Sequence, residues 1–440
     1  MPQLSPSGVT LPTSRNSVST KYMSPWKLFW WVMNTKLSAA TILLIISMAV
    51  EYIAIDTVKI YMALNYAVND AVLFPIMLVP AVALIGPVFL GPIAGVVTDR
   101  ISTRVYIVPL IAVCIWTPAV AVVAAMSNGF QLPALIILSL LAYLSANIRI
   151  ASSKFLVPKD EYTPYHGAVV WILQIVPVFA PLLAGVLIAS PLNSWVLYGG
   201  GIAILLIGSA LFLLAQRSGS AEVSAKSAQG FKGMGVDMRA AATFIISDRP
   251  LSHSVVVAAL VNVAVFTSGY AGVAALKSGT LTVFGTEIAL HGAPLIALGL
   301  GALVGSTIAG RVKARYAPCQ ALEATMVASI LLLLLQIAVM SHPLSLLATT
   351  GIGIAGSITS VLAWDVRLQR SRSDNIGTIA GLTGSAYKIP SLFFLPAIGW
   401  LAAIAGIQLA SVAATASLAL LYLVSRRSAV FRPQKGGGAL

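Results

Sequence analysis

Charge is what this chain has least of. Only 9% of its 440 residues are Asp, Glu, Lys or Arg, and only 13 are acidic. A soluble domain carries roughly a quarter of such residues, so a water-exposed globule is excluded. Cysteine is nearly absent: Cys114 sits in an apolar run and Cys319 in a basic loop, and no disulfide framework can be built from them. The first 25 residues are rich in Ser, Thr and Pro and lack the apolar core of a cleavable signal, so the first apolar helix is expected to direct its own insertion. No Gly-x-x-x-x-Gly-Lys-Ser/Thr loop occurs, which argues against ATP drive. His166, His253, His291 and His342 lie at the ends of apolar runs without metal-ligand spacing, so no metal and no cofactor is expected. No run offers a clustered nucleophile and base, and an enzyme is not expected either.

What the chain has in abundance is hydrocarbon. It is 58% hydrophobic with a mean hydropathy of +0.93, the composition of a polytopic helical membrane protein. Long unbroken apolar runs exclude the alternating strands of a β-barrel. Six spans fall at about 38–64, 71–97, 105–127, 133–152, 166–190 and 194–216, and six more at about 251–276, 291–310, 321–341, 343–364, 376–402 and 405–425. The expected organisation is a cytoplasmic tail and interfacial segment (1–37), a six-helix bundle (38–216), a cytoplasmic central loop (217–250), a second bundle (251–425) and a cytoplasmic tail (426–440). Trp26, Trp30 and Trp31 among lysines suit the lipid headgroup level.

The basic residues report topology. With a net charge of +14 nucleic acid could be considered, but 23 of the 27 Lys and Arg fall in loops on one side of this twelve-span arrangement and only Lys277 on the other. Such asymmetry places both termini in the cytoplasm and makes nucleic acid an unnecessary partner.

The charges that are not in loops are the more informative. Span 1, SAATILLIISMAVEYIAIDTVKIYMAL, carries Glu51, Asp56 and Lys59. An uncompensated charge near the bilayer midplane costs at least about 2.5–3.5 kcal/mol. At roughly 100° per residue Glu51 and Asp56 stand about 140° apart with Lys59 between them, so the three fit one broad face turned to partners or to water. Asp56 and Lys59 can neutralise each other at a helix seam; Glu51 is a candidate coupling or substrate residue. In span 11, Lys388 precedes Pro390, which cannot donate to the carbonyl of Ala386. A kinked, wet region is expected there, with Lys388 binding an anionic group or pairing with Glu51 or Asp56. Asn262 in span 7 is expected to make a hydrogen bond at a helix seam, and Arg149 to reach the interface from span 4.

The halves echo each other. LGPIAGVVTDRISTR in span 2 returns 211 residues later as GALVGSTIAGRVKAR, with Gly91-x-x-x-Gly95 becoming Ala302-x-x-x-Ser306. Small residues at that spacing let helices approach closely, and parallel six-helix repeats follow from the echo. The segment Gly95-Val-Val-Thr-Asp99-Arg100-Ile-Ser102-Thr-Arg104 resembles the loop signature of the major facilitator superfamily, with Ser102 in place of its second glycine and Val105 in place of its last basic residue. The resemblance implies an all-α membrane protein of twelve transmembrane helices in two pseudo-symmetric six-helix halves. Asp99 can then face the N-terminus of span 11 and hold the halves shut on the inner side.

Span 5 carries Ala180-Pro181-Leu-Leu-Ala184-Gly185, similar to a degenerate Gly-Pro-x-x-Gly-Gly signature of exporters in that superfamily. Glu51 in span 1 and Ser152-Ser153-Lys154-Phe155 after span 4 resemble the lysophospholipid transporters of Gram-negative bacteria, about as closely as the chain resembles drug and siderophore exporters. The expected activity is therefore proton-coupled secondary transport, by alternating access, of an amphiphilic organic or lipid-like solute out of a bacterial inner membrane. Export by antiport with protons, a monomeric state and membrane lipids as the other partners complete the expectation. The alternatives are lysophospholipid transport and a transport-inactive sensor or scaffold.

Overall fold

The computed structural model describes residues 37–69, 73–100, 233–276, 280–283, 286–289, 292–340, 342–371 and 376–427, with separate helical stretches between 133 and 215. Span 3 lies outside the described residues and spans 4, 5 and 6 are described in part. Among the described residues seven helices are long and apolar enough to cross a membrane.

Span 1 is helix α1 (Ala39–Asn69). Its start is fixed by chemistry the apolar pattern does not show. The Ser38 hydroxyl accepts from the Thr41 N–H at 3.3 Å, while the carboxylate of Glu161, far along the chain, accepts from both the Ser38 N–H and the Ser38 hydroxyl at 2.9 Å. An acid at a helix N-terminus satisfies orphan donors and opposes the helix dipole. Leu44 and Met48 of α1 then pack on Tyr165 and Val169 of span 5 and on Phe212 and Ala215 of span 6.

Span 2 breaks into α2 (Leu73–Ala83) and α3 (Ile85–Arg100). At the break Leu84 donates only three residues back, to Ala81, and Pro87 has no N–H to give to Ala83. In the central stretch 217–250 stands a helix, α4 (Met234–Ser247), whose Ala241 and Phe244 pack on Leu251 and on Ile379 of span 11. Asp248 follows it and caps α5 (Arg249–Ala275), accepting from the Leu251 N–H at 3.0 Å. Between α5 and the next span a short antiparallel hairpin forms, β1 (Thr280–Val283) with β2 (Thr286–Ala289). Then come α6 (Ala293–Arg315), α7 (Pro318–Ala338) and α8 (Ser345–Arg370) for spans 8 to 10. Span 11 is α9 (Ile376–Ala386) and α10 (Ile389–Ala405), and span 12 is α11 (Ile407–Arg427).

The second half has one core, in which Val257 and Val261 of α5, Ala309 of α6, Met326 of α7, Leu362 of α8 and Leu418 of α11 meet. Within it α6 and α8 approach at backbone distance: a Cβ on Gly301 or Gly305 would collide with the Thr350 or Ile354 backbone. The four-residue small spacing works here through these two glycines, one position before the aligned Ala302 and Ser306. At the loop ends Lys313 pairs with Asp365 at 2.6 Å, and Arg370 with Asp248 at 3.7 Å.

The halves meet along spans 2 and 11. Met77, Ala81, Leu84 and Val88 of span 2 pack on Leu395, Ile398 and Ala402 of α10. Nearer the Arg100 end the contact becomes backbone on backbone: a Cβ on Gly95 would strike the Gly377 carbonyl, and one on Gly381 the Gly91 carbonyl. The Ser385 hydroxyl donates across the same seam to the Pro87 carbonyl at 2.8 Å. Glycine is required at these positions because no side chain fits between the two helices.

Candidate functional site

Above that glycine seam span 11 comes apart. Ala386 ends α9, Lys388 donates only three residues back to Ser385, and α10 restarts with Pro390 in its first turn. The bend expected from Pro390 is present. Asn262 of α5 serves it, donating from Nδ2 to the Ser391 hydroxyl at 3.1 Å and to the Tyr387 carbonyl at 3.4 Å. This is the seam bond expected of Asn262, and its particular work is to occupy a carbonyl that the broken helix cannot use.

Two cations converge on the bend. The Lys388 ammonium stands 5.7 Å from the ring centres of both Tyr143 in span 4 and Tyr387. The Arg367 guanidinium of α8 lies 4.8 Å from the centre of the Trp364 ring and 5.8 Å from that of the Tyr387 ring. Both cations thus approach Tyr387. Arg367 is only 5% exposed and its Nε has no acceptor among the described residues. The ion pairs described hold other residues: Asp365, two positions before Arg367 on α8, belongs to Lys313. Among the described residues no carboxylate pairs with Arg367 or Lys388.

Magnitudes decide whether the surroundings suffice for two such charges. Aromatic faces contribute about 0.5–2 kcal/mol each to a cation within roughly 6 Å. Arg367 lies in the last turn of α8, where the C-terminal end of the helix dipole adds about 0.3–1 kcal/mol; Lys388 stands between the end of α9 and the start of α10, whose opposed dipole ends give it no such gain. Removing an unpaired charge from water costs several kcal/mol per ion even after relaxation. The rings and the α8 dipole offset part of that and supply no full counter-charge.

Sequence reasoning placed Lys388 here and missed Arg367, which had been grouped with the loop cations Arg370 and Arg372. The missed signal is the apolar run Val361, Leu362, Ala363, Val366, which carries α8 past the expected end of span 10 and takes Arg367 into the protein. The expected partners of Lys388 lie elsewhere. Glu51 is buried at the seam between α1 and span 6, where Gly208 lies against its Cβ and the Ser47 hydroxyl donates to the Gly208 carbonyl at 2.8 Å. The charge of Asp56, five residues on, acts on Tyr270 of α5. The separation of about 140° on α1 sends these two acids to different neighbours. Lys59 lies on α1, and Asp99 and Arg100 end α3, but their side chains are outside the described set. Gly95 is the one member of the loop signature whose contacts are described. Arg104, Pro181 and Gly185 lie outside the described residues.

Solved structures share this architecture. A POT family transporter in complex with a thioalcohol-conjugated peptide superposes with a TM-score of 0.62 at 12% identity, over 88% of this chain and 96% of that one. A POT family transporter in complex with 5-aminolevulinic acid superposes with a TM-score of 0.60 at 11% identity, over 87% and 95%. No protein-family model and no curated protein sequence matches the chain. At such identities it is the fold that is shared: the chain is a multi-pass helical membrane protein with the architecture of the major facilitator type.

Proposed function

We propose that the chain is a secondary active transporter that moves an amphiphilic organic solute by alternating access. The observation that carries the reading is the interface between the halves. A backbone-tight closure at Gly91, Gly95, Gly377 and Gly381 lies directly beside a bend in span 11 whose polar side chains come from spans 4, 7, 10 and 11. Rocking of one bundle against the other separates such a seam and opens such a site, with little change inside either bundle. The second half's own core and its Lys313–Asp365 and Arg370–Asp248 pairs keep it a unit while this happens.

Protons are the economical driving ion, with Glu51 and Asp56 as carriers and export, by antiport, as the direction. The burial of Glu51 beside span 6 supports a proton-exchanging role as α1 shifts, and the action of Asp56 on Tyr270 of α5 supports one that responds when the halves separate. Both solved neighbours hold small organic molecules, a peptide conjugate and 5-aminolevulinic acid, which supports an organic solute over an inorganic ion. Asp99 and Arg100 are proposed to guard the closed seam at the end of α3, on the cytoplasmic face of a bacterial inner membrane. Purified protein in liposomes, screened for solute flux with and without a pH gradient, tests the reading. Solute flux that rises with the gradient is expected; absence of flux for every amphiphile tried, from a protein that remains folded, would overturn it.

A further inference from the structure

We infer that the Arg367–Lys388 pair at the bend of span 11 is the binding site for an anionic headgroup on the transported solute, a carboxylate or phosphate carried on an apolar body. The inference rests on the transporter reading and sharpens it, because it names the charge the solute must bear. Three observations converge on it. Arg367 is almost wholly buried and its Nε has no acceptor among the described residues. Lys388 stands 5.7 Å from the centre of the same Tyr387 ring that Arg367 approaches to 5.8 Å. No described carboxylate neutralises either cation.

The geometry also says how the anion would sit. A guanidinium fork matches the two oxygens of a carboxylate or phosphate, whereas an ammonium acts as a point charge. Arg367 therefore sets orientation and Lys388 adds attraction. Trp364 (46% exposed) lies against the guanidinium and offers a flat apolar surface to the chain that follows the headgroup. The cations sit on spans 10 and 11 and the Tyr143 ring on span 4. An anion bound there would change the charge that the Tyr143 ring of the first half faces, so occupancy would be felt where the halves meet.

Binding can be read without flux. The probes are decyl phosphate, decanoate and decyltrimethylammonium, added to protein in a non-ionic detergent, with tryptophan fluorescence as the signal and Trp364→Phe to identify its source. Saturable, Trp364-dependent changes are expected with the two anions and not with the cation. Removing either charge, as Arg367→Gln or Lys388→Gln, is expected to weaken anion binding about 10- to 100-fold. Lys388→Arg should recover most of the loss, whereas Arg367→Lys, which keeps the charge but not the fork, should recover only part of it. Lys388, only half-buried, keeps the test available should Arg367→Gln fail to fold. A preference for decyl phosphate would point to a lipid-like phosphoester solute, a preference for decanoate to a carboxylate. The inference is overturned if Lys388→Gln binds both anions with wild-type affinity, or if decyltrimethylammonium binds equally well. Anion binding that survives in a protein with no flux would defeat the transporter reading alone.

Discussion

The contact between spans 2 and 11 allows a quantitative test of closure. At Gly381 an added Cβ would meet the Gly91 carbonyl carbon at 3.0 Å and the Gly95 Cα at 3.2 Å, besides the Gly91 oxygen itself. All are backbone atoms, so no rotamer change relieves the clash, and the helices must separate by about an ångström to regain ordinary contact. Overpacking of this kind costs about 1–3 kcal/mol. The cost falls only on states in which the seam is closed. A differential of that size changes the open-to-closed ratio about 5- to 150-fold. The reporter is Ser385→Cys in a background lacking Cys114 and Cys319, since Ser385 is 3% exposed and lies in the seam against Pro87. Its reaction with a membrane-impermeant maleimide should quicken at least several-fold in Gly381→Ala. Gly310→Ala, where a Cβ meets nothing within 4 Å, should leave the rate unchanged. Equal rates in Gly381→Ala and Gly310→Ala, at matched expression and Tm, would refute the claim that this seam closes the protein.

Other expectations can be checked singly. Replacing Glu51 by Gln should abolish accumulation driven by a pH gradient while downhill exchange persists; intact accumulation would move the coupling role to Asp56 or remove it. Glu161→Ala removes two hydrogen bonds from the start of α1 and should cost about 0.5–2 kcal/mol, visible as a lower Tm in detergent; an unchanged Tm would show that the cap contributes nothing. Asp365→Asn, at a partly exposed ion pair, should cost no more than about 1 kcal/mol, and a larger loss of Tm would assign the pair a role in holding α6 to α8. Reporters fused after Leu64, Ser190 and Gly406 should be periplasmic and those after Arg104, Gln229 and Arg427 cytoplasmic; one reversed reporter would break the twelve-span topology.

The amino-acid sequence by itself determined that this chain lives in a bilayer, roughly where it crosses, and that span 11 bends. These follow from local physics. Hydrocarbon demands apolar side chains over about 20 consecutive residues, and Pro390 cannot donate wherever the chain folds. The glycine spacing at Gly91 and Gly95 likewise announced a close approach. Only the tertiary structure decided what approached. It brought Gly377 and Gly381 to that face and used Gly301 and Gly305 in the second half, because partner choice depends on how whole helices cross. The fate of individual charges was decided there too. Glu51 and Asp56, five residues apart, went to different neighbours, and Arg367, just past the expected end of span 10, entered the protein with α8. Glu161 reached the start of α1 from 123 positions away, a pairing that no periodicity carries. A charge's role is set by the dielectric and the partners around it, and those exist only once the helices have assembled.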